Sequence, residues 1–236
     1  MIPAKQTPAA RGAADSVERA PFAIKDCALL VLATGKKARS LQELRQALGE
    51  VVPASIYHHF WGGLLQPRFE EREYNNDFAS WVRHGIHDGV LAERLAALDP
   101  TQFRDLEALR IELLEMIDSR LDDVEHLAWA HASEPFVFVC SQMVVFDTHK
   151  QLRHPGELAA LVPELSTSSI FYHFIDARTR TESGLDDFSE WLGGFGGIYE
   201  PLRQRLAGMD PYFNSLSDLR ERLGSAFGGL AAEGRA

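Results

Sequence analysis

The sequence predicts an all-α protein that consists of two tandem duplicated helical domains related by a pseudo-two-fold axis. Two observations lead to this prediction. Residues 55–60 read Ser-Ile-Tyr-His-His-Phe, and residues 169–174 read Ser-Ile-Phe-Tyr-His-Phe. Leucines also recur at helical spacing in several segments. An internal repeat of this length divides the chain into two related units.

The two copies align over most of the chain. His173 falls on His59 at an offset of 114 residues, and Trp191 falls on Trp81 at an offset of 110. The alignment divides the chain into a disordered tail, a first unit, a second unit and a frayed C-terminus, at residues 1–20, 21–131, 132–228 and 229–236. Each unit has the size of an ordinary domain. We expect the units to pack against each other as the halves of a two-fold dimer do, either within a monomer or within a homodimer.

The composition is that of a globular protein. Of 236 residues, 45% are hydrophobic and 25% are charged. The net charge of −10 makes nucleic acid an improbable partner, since an acidic chain gains no general attraction to phosphate. Two cysteines indicate a reducing compartment, and no apolar run is long enough for a membrane span, so a cytoplasmic location is expected.

The first apolar segment of each unit is ambiguous. Residues 22–34 contain three closely spaced leucines, which favour a helix. The equivalent residues 136–140 alternate as a strand does and contain β-branched residues. Periodicity does not separate a buried strand from a buried helix in so short a run, and the leucines favour the helical interpretation.

The following elements are predicted as helices. Ser40 and Glu43 fit a capping box, and Pro53 and Pro163 suit the first turn of the helix that carries the repeated motif. A polar loop follows at residues 66–76, and Asp77 precedes an aromatic pair as a helix cap would.

The last helix of each unit has the clearest pattern. We expect the first over about residues 103–121. The apolar stripes at helical spacing consist of Leu106, Leu109, Leu113, Met116 and Ile117 in unit one and Leu216, Leu219, Leu223 and Phe227 in unit two.

The repeated histidines are the first candidate site. A histidine among aromatic residues can bind a ligand, a metal or a proton. The ligand-binding candidates are therefore the two histidines and their aromatic neighbours: His59, His173, Tyr57, Tyr172, Trp81 and Trp191. The alternative is that both histidines belong to the core and donate to a carbonyl or carboxylate.

A second candidate is a metal site confined to unit one. His84 and His87 would share one face of a helix, and His58 and Asp88 could complete the ligand set. The alternative is a solvated helix face, because unit two has glycines at the positions of both histidines. No cofactor is expected, and a divalent metal is the alternative to that expectation.

No catalytic residue is proposed. The sequence contains no combination of nucleophile, base and orienting group, and no phosphate-binding or dinucleotide-binding fingerprint.

Residues 41–60 locally resemble the helix-turn-helix of TetR-type repressors. Gly49 and the Tyr-His-His-Phe string at residues 57–60 match that pattern. The resemblance implies a DNA-binding regulator. The segment between Gly49 and Trp61 contains no Lys or Arg, whereas a recognition helix needs cations for phosphates.

The whole chain resembles an uncharacterised bacterial and archaeal domain of unknown function, present here in tandem copies. The shared order is Ser-Ile-x-x-His followed by Asp-Phe-x-x-Trp, at residues 55–59 and 77–81 and again at residues 169–173 and 187–191. This resemblance implies no activity. The expected function is therefore a soluble, non-enzymatic module for protein–protein interaction or regulation. The alternatives are a metal- or ligand-binding protein that uses the unit-one histidines, and a DNA-binding regulator.

Overall fold

A computed structural model describes residues 20–66, 73–210 and 215–233, which form two helical clusters that share a long two-stranded ribbon. The strands are β1 (Phe22–Ala38) and β2 (Phe136–Leu152). Unit one contains α1 (Leu41–Glu50), α2 (Pro53–Trp61), α3 (Asp77–Trp81), α4 (Gly89–Ala96) and α5 (Leu106–Asp123). Unit two contains α6 (Leu158–Leu161), α7 (Thr167–Ile170), α8 (Ala177–Arg180), α9 (Asp187–Gly193), α10 (Glu200–Ala207) and α11 (Leu216–Glu233). Two π-helical segments, Val82–Ile86 and Phe171–Asp176, follow α3 and α7.

The prediction of an all-α fold and of a helical bundle is wrong. The segment that begins at Phe22 is a strand of 17 residues, and so is the segment that begins at Phe136. The leucines of β1 suggested a helix because intrinsic propensity is weak compared with tertiary pairing. Each strand becomes favourable only through its partner about 100 residues away, and sequence periodicity does not contain that information.

The register of the ribbon is symmetric. Leu29 pairs with Met143 at the centre, and Phe22 pairs with Leu152 at one end as Ala38 pairs with Phe136 at the other. Shifting β1 residues forward and β2 residues back by the 114-residue offset of the repeat converts every pair into an observed pair, and the Leu29–Met143 pair into itself. The ribbon thus has a pseudo-two-fold axis at its centre. The division of the chain into units at residues 131 and 132 stays a prediction.

Both strands bulge at equivalent places. Thr34 donates its hydroxyl to the carbonyl of Phe138 (2.5 Å), and Thr148 donates to the carbonyl of Ile24 (2.6 Å). The residue after each threonine adopts a left-handed conformation, with φ of 77° at Gly35 and 59° at His149. A side chain at such a φ costs roughly 1–2 kcal/mol, so Gly35 suits this position better than His149 does.

We expect Gly35→Ala to lower the free energy of unfolding by about 1 kcal/mol, because alanine is strained at positive φ. Among the described residues no atom lies within 4 Å of the position of the added methyl group, so the effect comes from the backbone alone. Urea unfolding measures it. Gly49→Ala in α1 is the matched control, also with open space around it, and should raise stability. Equal changes in the two variants would contradict the argument.

The starts of the two strands are exchanged between the units. Phe136, which opens β2, lies against His59, Phe78 and Trp81 of unit one, with ring centroids 4.6, 5.2 and 5.8 Å away. Phe22, which opens β1, lies in the same way against aromatic residues of unit two: His173, Phe188 and Trp191, at 5.1, 5.4 and 5.3 Å. Each helical cluster therefore builds its core around the first residue of the other unit's strand.

The helix starts agree only in part with the predictions. The hydroxyl of Ser40 accepts the N–H of Glu43 (3.2 Å), and α2 begins at Pro53. The equivalent helix of unit two begins after Ser166 rather than at Pro163. The tail at residues 1–19 lies outside the described residues, as does most of the predicted loop at residues 66–76. At the other end, α11 extends to Glu233, through most of the segment that was expected to fray.

Candidate functional site

The repeated Ser-Ile-x-x-His motif binds the backbone of the exchanged strand. In unit one, the hydroxyl of Ser55 donates to the carbonyl of Val139 (2.7 Å), and the N–H of Val139 donates to Nε2 of His59 (3.3 Å). In unit two, Ser169 and His173 bind the carbonyl and N–H of Lys25 at 2.6 and 2.8 Å. A serine and a histidine four positions apart thus satisfy both polar backbone groups of one strand residue. We call each such set, with the aspartate described next, a strand clamp.

An aspartate orients each histidine of the strand clamps. Nδ1 of His59 lies 3.0 Å from Oδ2 of Asp77, and Nδ1 of His173 lies 2.7 Å from Oδ2 of Asp187. Because Nε2 accepts an amide N–H, it carries no proton, and the hydrogen-bond network assigns the proton to Nδ1. A neutral imidazole has one donor and one acceptor, so both ring nitrogens of each histidine are engaged.

The sequence predicts Asp77 as a helix cap, but in both units the structure assigns that role to the residue before the aspartate. The side chain of Asn76 accepts the N–H of Ala79 (2.9 Å), and that of Asp186 accepts the N–H of Ser189 (2.9 Å). Asp77 and Asp187 occupy the first helical position instead. The sequence signal that could have revealed their role is the repetition of Ser, His and Asp together in both units.

The two tryptophans among the ligand-binding candidates hold the segments that lead into the strands. Nε1 of Trp81 donates to the carbonyl of Glu134 (2.9 Å), and Nε1 of Trp191 donates to the carbonyl of Ala20 (3.3 Å). The structure therefore gathers the predicted histidines and tryptophans into two equivalent clusters, each around an exchanged phenylalanine.

The tyrosines differ between the units and belong to a polar network at their junction. The hydroxyl of Tyr57 donates to Oδ1 of Asp176 (2.8 Å), which joins α2 to unit two. Arg180 donates to Oδ2 of Asp176 (3.0 Å) and to Asp187, and its guanidinium lies 4.1 Å from the ring centroid of Tyr172. Burial raises the pKa of Asp176, although the hydrogen bond from Tyr57 and the charge of Arg180 oppose that effect.

Unit one has no equivalent of Asp176, and a side chain at the corresponding position would clash with His58. Gly62 occupies the corresponding position, and a Cβ atom there would lie 2.6 Å from Nδ1 of His58. His58 is buried, and the same Nδ1 lies 2.6 Å from the hydroxyl of Ser141 on β2. The ring of His58 thus fills space that a side chain at position 62 would need.

The four candidate metal ligands are not brought together. His84 is exposed and pairs with Glu73 (2.8 Å), and His87 is exposed with a left-handed φ of 63°. Asp88 is buried against Arg120, with an Nε–Oδ2 distance of 2.7 Å. Of the four, only His58 belongs to the single group of potential ligands found among the described residues, which is His58, His59 and Asp77.

That group is a poor metal site for a specific reason. A metal on Nδ1 of His59 would displace the proton given to Asp77 and move it to Nε2. The N–H of Val139 already points at Nε2, so two donors would then face each other. Metal binding there would have to break the strand clamp of unit one.

An open cleft of about 460 Å³ adjoins the strand clamp of unit one. It lies between α3 and the segment that leads into β2. Its described lining includes His59, Asp77, Ser80, Trp81, His84 and Glu134. The outer edge of the aromatic cluster is therefore accessible, while the ring nitrogens of His59 remain occupied.

The segment that resembles a helix-turn-helix is not arranged to enter DNA. Residues 51 and 52 join α1 to α2, and six of the nine residues of α2 are buried. Its serine and histidine face β2. A recognition helix needs an exposed face for base edges, and α2 uses most of its surface within the protein.

The fold and its two strand clamps define a protein in which two helical clusters are joined by exchanged strands of one ribbon. The chain belongs to a family of unknown function, DUF5752, whose model matches residues 19–228. One match spans both units, so it does not resolve two copies of a smaller domain.

The solved structure of OrfY from Thermoproteus tenax is similar to this chain. The two share 26% sequence identity and a TM-score of 0.78, over 92% of this chain and 99% of that one. A comparison with curated proteins gives no match. In the described part of the chain, no helix combines the length and apolar character that a membrane span requires.

Proposed function

We propose that the protein is a non-enzymatic interaction module and that its ribbon is the surface on which a second copy of the chain docks. The observation that carries this proposal is an exposed apolar triplet on β1, with a partly exposed apolar triplet at the related positions of β2. Leu30, Val31 and Leu32 on β1 are 52%, 51% and 48% exposed. Their equivalents on β2 are Val144, which is partly buried, and Val145 and Phe146, which are 44% and 50% exposed.

The grouping of these residues distinguishes them from ordinary surface apolar residues. Single exposed leucines or valines are common on globular proteins, whereas contiguous apolar surface marks a contact site. A strand at the edge of a sheet also presents unpaired backbone groups that can bind another chain. Both strands of this ribbon are edge strands within the described residues.

The apolar triplet of β1 favours a second copy as the occupant. An isologous dimer requires a surface that complements itself. Leu30 and Leu32 flank Val31 symmetrically and none of the three is charged, so this stretch of β1 meets that requirement.

The chemistry of the repeated motif supports a non-enzymatic role. The hydroxyls of Ser55 and Ser169 and both ring nitrogens of His59 and His173 are used in binding strands and aspartates. A general base or nucleophile must be able to exchange its proton with a substrate. These groups could do so only by releasing the ribbon.

The proposal predicts that Leu32→Asp abolishes self-association. A carboxylate would be buried without a partner in the contact, which is strongly unfavourable. Light scattering coupled to size-exclusion chromatography, from low micromolar to a few hundred micromolar protein, measures the mass. Ile111→Asp is the matched control, because Ile111 is 55% exposed but lies on α5.

We expect the wild type and the Ile111→Asp variant to associate and the Leu32→Asp variant to remain monomeric. A wild type that stays monomeric over the whole range, or equal association of both variants, would overturn the proposal. Circular dichroism of each variant establishes that the substitution leaves the fold intact.

A further inference from the structure

We infer that the second copy docks edge to edge along β1, so that two ribbons form one four-stranded antiparallel sheet. This inference rests on the proposed function, because it specifies how the same partner binds. It identifies the residue on the two-fold axis of the complex as Val31. It also distinguishes the two edges of the ribbon, although they are equivalent in position.

Exposure on both faces of β1 favours an edge contact. Successive side chains of a strand point to opposite faces. Leu29 packs against the core, so Val31 shares the face that is turned towards the helices, while Leu30 and Leu32 lie on the other face. Val31 is nevertheless as exposed as both leucines. A face-to-face contact would cover only the leucines, whereas a strand added at the edge covers all three side chains.

The sequence of β1 complements itself in one antiparallel register. If Val31 lies opposite Val31 of the second copy, Leu30 lies opposite Leu32, and Leu29 lies opposite Ala33. Residues 29–33 contain no charge, so five consecutive cross-strand pairs are apolar. Apolar cross-strand pairs are the stabilising unit of a sheet.

The equivalent register on β2 is less favourable. A pairing centred on Val145 would place Met143 opposite Asp147. Asp147 is half exposed and already forms an ion pair with Lys25 (3.2 Å). The contact would bring an apolar side chain against a carboxylate and remove solvent from that ion pair. The inference therefore assigns the contact to β1.

Disulfide formation between two chains tests the register directly. Residues directly opposite each other in an antiparallel pair have Cβ atoms about 4.5–5.5 Å apart, close enough for a disulfide after a small adjustment. The experiment uses the full chain with Cys27→Ser and Cys140→Ser. Val145 lies directly opposite Cys27 in the ribbon, so with Cys27 present the Val145→Cys control would form a disulfide within one chain and would not report on the contact.

We expect Val31→Cys to form a covalent dimer under mild oxidation, seen on a non-reducing gel. Val145→Cys, at the equivalent position of β2, is the matched control and should remain largely monomeric on the gel. A second readout needs no variant: hydrogen exchange of the amides at residues 29–33 in the wild type should slow as the protein concentration rises.

The outcomes separate this inference from the proposed function. If the wild type associates and Leu30→Cys cross-links better than Val31→Cys, the copies meet face to face; the edge contact is then wrong and the proposed function survives. Cross-linking of Val145→Cys as strong as that of Val31→Cys would also overturn the assignment to β1. If the wild type does not associate and exchange at residues 29–33 is independent of concentration, both proposals fail.

Discussion

Replacing His173 with alanine is expected to lower the free energy of unfolding by about 3–5 kcal/mol. The substitution removes a fully buried ring that packs against Phe22 and Phe188. It also leaves the N–H of Lys25 without its acceptor and Asp187 without one donor. An unsatisfied buried donor costs more than the net worth of the hydrogen bond it formed. Urea unfolding followed by circular dichroism measures the loss.

Two further variants separate packing from hydrogen bonding. His173→Phe keeps a ring in the cluster and loses both hydrogen bonds, so we expect roughly half of the alanine effect. His59→Ala removes the equivalent ring of unit one and should also be strongly destabilising, although its bond to the strand is longer, 3.3 Å against 2.8 Å. Unchanged stability in both alanine variants would show that the strand clamps do not hold the ribbon.

The repeated motif could be found from the sequence, but its purpose could not. Ser55 and His59 recur as Ser169 and His173, and this repetition identified them as important. Their targets are backbone groups of Val139 and Lys25, which any residue except proline supplies. Backbone recognition leaves no side-chain pattern at the target position, so no reading of residues 25 or 139 would have shown the contact.

The prediction of an all-α fold was wrong for a related reason. A strand of a two-stranded ribbon has no neighbour in sequence that favours it, and the leucines around Leu30 suit a helix equally well. The clearer strand signal lay at residues 136–140, where Phe136 and Phe138 are buried and Val137 is exposed. Applying that alternation to the equivalent residues of unit one would have predicted β1 correctly.

The candidate metal ligands His84, His87 and Asp88 are separated by a break in the helix that their spacing predicted. The spacing of His84 and His87 suggested one face of a helix, but the chain there is a π-helical turn that ends at His87 in a left-handed conformation. Asp88 then caps a new helix, α4, which begins at Gly89. The change of direction between the two elements separates residues that an uninterrupted helix would have kept together.

Replacing Asp88 with alanine is expected to lower the free energy of unfolding by about 3 kcal/mol, the second largest effect. The carboxylate caps α4 by accepting the N–H groups of Val90 and Leu91, at 3.0 and 3.2 Å. It also binds Arg120 of α5 through two hydrogen bonds of 2.7 and 3.2 Å. Its removal leaves a helix end uncapped and takes both of these hydrogen bonds from a mostly buried guanidinium, which keeps the weaker attraction of Asp123. Asp118→Ala is the control, because it breaks an exposed ion pair with Arg45 and should have a much smaller effect.

The pH dependence of the Asp88 effect provides an independent measurement. Burial opposes ionisation of this carboxyl, but the hydrogen bonds from Arg120 and the two amides outweigh it and lower its pKa. A group with a lowered pKa stabilises the fold above its unfolded-state pKa and loses that contribution as the pH falls through its folded-state pKa. The difference in stability between the wild type and Asp88→Asn should therefore be largest near neutral pH and shrink in acid. A difference that stays constant with pH would mean that Asp88 acts through shape and capping, without a contribution from its charge.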